Sequence, residues 1–266
     1  VNLHKRIHSA NLRKEIISYI MENMMNNFVN KLKTKANRYA ELKKQRGMSL
    51  LEVIIVLGII GTMAAAVVIL AQRAFDSQDI TDLVDNTNTV RVAAGNAYKD
   101  AGVYPAAAGT VIGLVPSSLA GQKGSTGAMA AVLVNLGQVS EPEIKNGISG
   151  DYFYMRGTKL TAAAGAADTK GFILAVNGLD EGQCRSLLLQ VGNSWDYVGV
   201  AIAAAGALPT VPAALDAPVT VTGTKGAPQG VLRSLDPATG MVQISADAAS
   251  QTCAANSSNA VVLGSK

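Results

Sequence analysis

The stretch QRGMSLLEVIIVLGIIGTMAAAVV at residues 45–68 constrains this chain more than any other. Residues 53–71 are nineteen consecutive positions without a charge, interrupted only by the polar Thr62. A helix of that length crosses a hydrocarbon core of about 30 Å. One carboxylate, Glu52, stands at the edge of the run. An ionisable group inside a bilayer costs on the order of 2.5–3.5 kcal/mol on insertion scales and usually faces a protein partner or a pathway. A plain anchor has no need of it.

Charge is divided around this run. Residues 1–47 hold eleven Lys or Arg against three acidic residues, and residues 48–266 hold twelve against sixteen. The formal +4 is therefore +8 followed by −4. A nucleic-acid partner is excluded on that ground, because such a protein needs its positive charge on the folded surface that meets the phosphates. Lys43, Lys44 and Arg46 directly precede the apolar run, which places the N-terminal side in the cytoplasm and the acidic remainder outside.

Export carries Cys184 and Cys253 into an oxidising compartment, where two cysteines read as one disulfide; the alternative is a pair of buried free thiols. Both histidines, His4 and His8, precede the run, so no Ser-His-Asp triad, Cys-His pair or His-bearing zinc site has its residues in the exported part. The acidic neighbours Asp180 and Glu181 read as a helix N-cap rather than as paired catalytic carboxylates. Asp76, Asp79, Asp82 and Asp85 read as a solvated face, since three-residue steps drift around a helix and no oxygen-rich loop accompanies them. The expectation is a protein without enzymatic activity, cofactor or metal.

In the leader, Ile16, Ile20, Met24, Phe28 and Leu32 recur at helical spacing among basic residues, as a membrane-surface helix would. Met21, Met24 and Met25 offer nearer translation starts than Val1, so a shorter leader is expected. Beyond the apolar run, Ile80, Leu83, Val84, Thr87, Val90, Ala94 and Ala97 fall three and four apart, with Asp79, Asp82, Asp85 and Arg91 off that line. One helix over 48–101 is predicted, apolar all round in its first half and amphipathic in its second, with Gly102 and Pro105 as stop signals.

After it come a flexible surface turn at GQKGSTG and two short helices, one at SEPEIKNG with Ser140 and Glu143 as a capping box, one at DEGQCRSLLLQVG ending at Gly192. Strands are predicted at 152–156, 172–176, 195–202, 219–222, 241–245 and 261–263. A helix with one apolar face followed by short strands gives an α+β domain, the helix packed on an antiparallel sheet.

RGMSLLEVIIVLG resembles the processing site and N-terminal segment of type IV prepilins: a basic leader ending in Gly, an uncharged run, and a Glu fifth in the mature chain. Here the Gly is Gly47, the new N-terminus Met48, and the Glu is Glu52. Met rather than Phe after the Gly, together with the large C-terminal domain, is similar to the type IVb class, the toxin-coregulated and longus pilin group. GLDEGQCRSLLLQVGNSWDYVGV and QTC look like that group's segments bearing the two disulfide cysteines, here Cys184 and Cys253. The resemblance is tight over 47–104 and around Cys184, and loose between.

The resemblance implies a pilin αβ-roll with a disulfide-closed C-terminal region, in three parts: leader 1–47, membrane-spanning and filament-core helix 48–72, exported domain 73–266. It implies cleavage between Gly47 and Met48 by a prepilin peptidase, N-methylation of Met48, and assembly by an inner-membrane platform, an ATPase and a secretin. The precursor would sit in the inner membrane and the product in an extracellular pilus built of copies of itself, adhering to other bacteria and to a host-cell surface. Glu52 would pair with the Met48 amine of a neighbouring copy. Gly58 and Gly61 would allow close helix contact or local unwinding, although they lack the GxxxG spacing. The alternatives are a minor pilin or type II secretion pseudopilin, and a membrane-anchored or secreted binding protein.

Overall fold

The structure is a computed structural model that describes residue 25 and residues 49–106, 109, 111–163, 168–221, 229–240, 242–256 and 258–266. The expected leader helix lies outside the described residues, as do Gly47 and Met48. The chain divides into two compact units, Val1–Val67 and Val68–Lys266. Helix α1 (Leu50–Tyr98) passes through that division. No proline occurs before Pro105, so nothing interrupts the helix. It ends where Gly102, at φ +66°, turns into the left-handed region and returns its N–H to the Tyr98 carbonyl at 3.1 Å.

In the larger unit α1 buries one face, made of Ile80, Leu83, Thr87, Val90, Ala93 and Ala94. The sequence line anticipated this face, and Val84 and Ala97 pack at its edge half-buried. The buried Thr87 hydroxyl donates to the Val84 carbonyl at 3.0 Å, so its polar group is satisfied within the helix.

Five strands form one sheet: β1 (Tyr154–Thr158), β2 (Gly171–Leu179), β3 (Tyr197–Ile202), β4 (Gly230–Arg233) and β5 (Asn259–Ser265). Their order is β1-β2-β5-β3-β4 with every pairing antiparallel. The α+β arrangement is the one predicted. Strand β5 is central, and all seven of its residues are buried, as befits a strand covered on both faces and both edges. Between β2 and β3 runs α4 (Glu181–Val191), whose N-cap Asp180 accepts from the Gln183 N–H at 2.7 Å while the Gln183 side chain accepts from the Asp180 N–H at 3.0 Å.

The differences from expectation have physical causes. The predicted strand at 219–222 is absent over 219–221, because Thr220 and Val221 both donate to the single Val231 carbonyl instead of laddering. The one at 241–245 is absent over 242–245: the Ile244 N–H is taken by the Asn193 side chain at 2.9 Å, and Ser245 caps helix α5 (Ala246–Thr252). Residue 222 and Met241 lie outside the described residues. Strand β4 was not anticipated, being four residues without strict alternation. Helix α3 (Met129–Asn135) was missed because Met129 through Leu133 are all buried, which erases the helical period. Two shorter pieces also escaped, α2 (Pro116–Leu119) and α5.

The segment expected as a helix at 140–147 is a 3₁₀ turn, Glu141–Ile144, although the Ser140–Glu143 box is formed and Glu143 accepts from the Ser140 N–H at 2.6 Å. GQKGSTG is a surface turn with a 3₁₀ piece at Gly124–Thr126. Gln122 accepts from the Ala128 N–H at 2.9 Å, and Gly127 is buried where a Cβ would meet the Lys123 backbone at 2.8 Å.

The packing is testable at α1. Leu83→Ala removes a side chain 1% exposed and is expected to lower the unfolding free energy of the detergent-solubilised chain by about 2–5 kcal/mol. Val92→Ala, 64% exposed on the same helix, should change it by no more than about 0.5 kcal/mol in the same denaturant titration.

Burial also pushes the Tyr197 phenol up to about 12, and burial followed by the hydrogen bond to Glu141 pushes Tyr152 up as well. Phenols in an unfolded chain lose their protons near about pH 10. The stability these groups contribute is therefore intact below that pH and is lost as pH rises through the folded values. Tyr197→Phe should flatten the decline of melting temperature between about pH 10 and 12.

Candidate assembly site

The smaller unit contributes the first turns of α1. Ser49 begins the helix: its carbonyl accepts from Glu52 N–H at 2.8 Å and from Val53 N–H at 3.4 Å, and its hydroxyl oxygen accepts from Leu51 N–H at 3.3 Å. The Ser at 49 and the Glu three residues later have capping-box spacing, a signal the reading by hydropathy passed over. Glu52 lies in the first turn, where the unpaired N–H groups favour a negative charge by about 0.3–1 kcal/mol.

Every residue from 50 to 78 is exposed. Fourteen of those between 50 and 71 are large and apolar, from Leu50 (79%) to Leu70 (65%), and they cover all sides of the helix. Helical spacing puts Ile55, Val56, Ile59 and Met63 on the side that carries Glu52. The one hydroxyl of the stretch, Thr62, donates to the Ile59 carbonyl at 2.9 Å, so its polar group is satisfied within the helix. By length and composition α1 is able to cross a membrane. A Cβ at Gly58 or Gly61 would meet nothing within 4 Å, so nothing among the described residues requires glycine at either.

Cys184 and Cys253 are joined, with Cα atoms 6.0 Å apart across 69 residues of sequence. The bond ties α4 to the end of α5. Arg91, set off the apolar line in the sequence, is half-buried: its Nε donates to Ser265 Oγ at 3.1 Å, its Nη1 to the Ser194 carbonyl at 2.5 Å, and its guanidinium lies 5.0 Å from the Trp195 ring centre. The aliphatic pattern of α1 could not show this, because the partners come from residues 194–195 and from the end of β5. Among the described residues no group of three or more His, Cys, Asp or Glu is placed to hold a metal.

The family model described as toxin-coregulated pilus subunit TcpA matches residues 132–264. The model of the prokaryotic N-terminal methylation motif matches residues 42–68, a span that contains Gly47, Met48 and Glu52. The toxin coregulated pilin of Vibrio cholerae is 39% identical over 164 residues, 62% of this chain and 66% of that protein. The toxin coregulated pilin of Vibrio cholerae serotype O1 is 40% identical over 156 residues, 59% of this chain and 62% of that one. The chain thus spans slightly less than two thirds of these relatives' length. The crystal structure of TcpA, a type IV pilin from the El Tor biotype, is similar in fold with a TM-score of 0.55, at 24% identity, over 71% of this chain and 99% of that one.

Removing the disulfide should be costly. Under the chain-entropy account a closed loop of this length is worth about 4 kcal/mol, so Cys184→Ser with Cys253→Ser is expected to lower thermal stability markedly in melts under non-reducing conditions. Reductant should reproduce the loss in the unaltered chain.

Proposed function

This chain belongs to the toxin-coregulated pilus subunit family, and from that premise we propose that it is a structural subunit of a type IV pilus, polymerised through its apolar N-terminal helix. The observation that carries the proposal is the all-round apolar surface of residues 50–71, with Glu52 as its sole charge. Lipid covers that surface before assembly, and the same segments of other copies cover it afterwards. The subunit role is favoured over a pseudopilin by the family match across the C-terminal half.

On this reading residues 1–47 are a leader, 48–72 the spanning and filament-core helix, and 73–266 the exported domain. A prepilin peptidase cleaves between Gly47 and Met48 on the cytoplasmic face, and the Met48 amine is methylated. The inner membrane holds the precursor until the platform, ATPase and secretin deliver it into an extracellular fibre that adheres to other bacteria and to a host-cell surface. Glu52, in a dry bundle of helices, takes the Met48 amine of a neighbouring copy as its counter-charge, since a buried carboxylate without a partner is strongly destabilising. Gly58 and Gly61, unfilled within the chain, give a neighbouring helix room to approach or give this one a place to open.

Intact mass and N-terminal peptide mapping of protein sheared from cells test the reading. Met48, N-methylated, is expected as the first residue; a retained leader, or a start near Ala74, would instead favour an anchored or secreted binding protein. Glu52→Ala should leave cleavage intact yet lower filament yield by tenfold or more, because an uncompensated buried charge costs about 3–5 kcal/mol. Normal filaments from that variant would rule out the registration role.

A further inference from the structure

Asn is followed directly by Gly at two places in the chain, 146–147 and 177–178. In such a pair no side chain shields the glycine nitrogen from the carboxamide before it, so the two groups meet more readily than in a bulkier pair. The fold buries both asparagines in one cluster: Asn146 is 1% exposed, Asn177 is 7% exposed, and Asn146 Nδ2 donates to the Asn177 carbonyl at 2.8 Å. The surroundings dictate both residues of the second pair. Gly178 lies where the β2 register shifts between Val176 and Leu179, at φ +71°, and a Cβ there would meet the Ser149 Cβ at 2.8 Å. Asn177 accepts from Ser149 Oγ at 3.0 Å and donates its amide to Asp151 Oδ2 at 2.7 Å, to the Ala207 carbonyl at 3.0 Å and to the Ala204 carbonyl at 3.2 Å. A carboxamide supplies both the acceptor and the donors.

The loop after β3 guards this pair. Gly178 N–H donates to the Ala203 carbonyl at 3.0 Å, so its nitrogen is not free to attack. The carboxamide it would attack is held by the carbonyls of Ala204 and Ala207. Gly206, at φ +77°, donates its N–H at 2.7 Å to the same Asp151 oxygen that takes the Asn177 amide. Movement of residues 203–207 away from β2 therefore breaks all of these bonds together. The Asn146 carboxamide is pinned instead by its own turn, its Oδ1 accepting from Ile148 N–H at 2.9 Å and from Ser149 N–H at 3.3 Å.

We propose that Asn177 is a site of spontaneous, one-way modification that records opening of the 203–207 loop. With the loop open, the Gly178 backbone nitrogen attacks Asn177 Cγ. The N–Cγ bond forms, the Cγ–Nδ2 bond breaks, and Nδ2 leaves as ammonia, taking up the proton that the backbone nitrogen loses. Water then adds to the succinimide ring and opens it at either carbonyl, which leaves aspartate or isoaspartate at 177. The product no longer fits the closed loop. A carboxylate replaces the amide that faced Asp151 and two carbonyls, so acceptor meets acceptor and two carboxylates share a site built for one. A loop that has opened and reacted stays open. Nothing in this chemistry depends on filament formation.

The test ages the detergent-solubilised full chain at mildly alkaline pH, folded and in denaturant, and follows amide-to-acid conversion at 177 and 146 by peptide mass. Conversion at 177 is expected to be tenfold or more slower in the folded chain, because a guarded group reacts only in the open fraction. Gly206→Val puts a β-branched residue at a left-handed position where a Cβ meets nothing within 4 Å, so it strains the loop without a clash. It should speed conversion at 177 about tenfold and leave 146 unchanged. The converted fraction of the unaltered chain, separated by its added negative charge, should exchange the Gly206 and Gly178 amide hydrogens tenfold or more faster than the unconverted fraction, with the Cys184–Cys253 bond intact in both. Conversion at 177 as fast in the folded chain as in denaturant, no acceleration by Gly206→Val, equal acceleration at 146, or unchanged exchange in the converted fraction would each overturn the proposal.

Discussion

The constraint on which everything else depends is the uncovered apolar surface at the start of α1. Fourteen large apolar side chains are exposed there, and burying each is worth about 1.5–3 kcal/mol, or about 20–40 kcal/mol together. A domain's whole stability is about 5–15 kcal/mol. Leaving such a surface open to water costs more than a domain's stability, so an apolar surrounding must cover it. The surface is also non-directional, because it runs around the helix and specifies no single face. Whatever sets the relative position of neighbouring helices has to come from a feature with direction.

The same helix changes character along its length. From Ile80 onward it buries a single stripe, and the residues that fix it to the sheet are few. Arg91 reaches residues 194–195 and the end of β5 at once, joining the helix to the strand at the centre of the sheet. Asp196 completes this junction by accepting from Ser265 Oγ at 3.3 Å and from the Lys266 N–H at 3.1 Å. On the far side of the sheet order, α4 and α5 are fixed by the Cys184–Cys253 bond, so the long connection between β2 and β5 is closed covalently. Arg91 and the apolar stripe thus tie this part of α1 to β5, which is hydrogen-bonded along both edges.

How much of this was legible in sequence depended on whether the signal was local. The apolar run, the stripe from Ile80 to Ala97, the Asp180 cap and the strands around Phe172, Val198 and Val262 carry their period or their cap within a few residues, and the fold class followed from them. Helix α3 was invisible because burial on every side removes the amphipathic period. The strands predicted at 219–222 and 241–245 had the right composition, yet their backbone groups were claimed by Val231 and Asn193, partners that only the tertiary fold supplies. At the assembly site the Glu and its distance from Gly47 were plain, while the Ser49 cap beside it went unread because the hydropathy of the run dominated. Asn177 on β2 donates to Asp151, and Gly206 donates to the same carboxylate, which illustrates the general limit: Asp and Gly in two separate loops look like ordinary turns until the sheet places them within hydrogen-bonding distance of a strand residue.

The magnitudes around Glu52 decide what that carboxylate does. Carrying it into the hydrocarbon costs on the order of 2.5–3.5 kcal/mol, far less than the apolar run returns, so it does not control insertion. Its place in the first helical turn recovers about 0.3–1 kcal/mol, and up to about 2 in a partly buried setting. A shortfall of about 0.5–3 kcal/mol therefore persists in an isolated chain. In the proposed filament a cation from a neighbouring copy would remove it, at one position along the neighbouring helix. On the proposed reading that sum is too small to drive assembly, which falls to the apolar surface, yet at its upper end it favours one register over its neighbours by more than tenfold, about 1.4 kcal/mol being a factor of ten. In the proposed filament the apolar run would supply the attraction between copies and Glu52 the direction that attraction lacks.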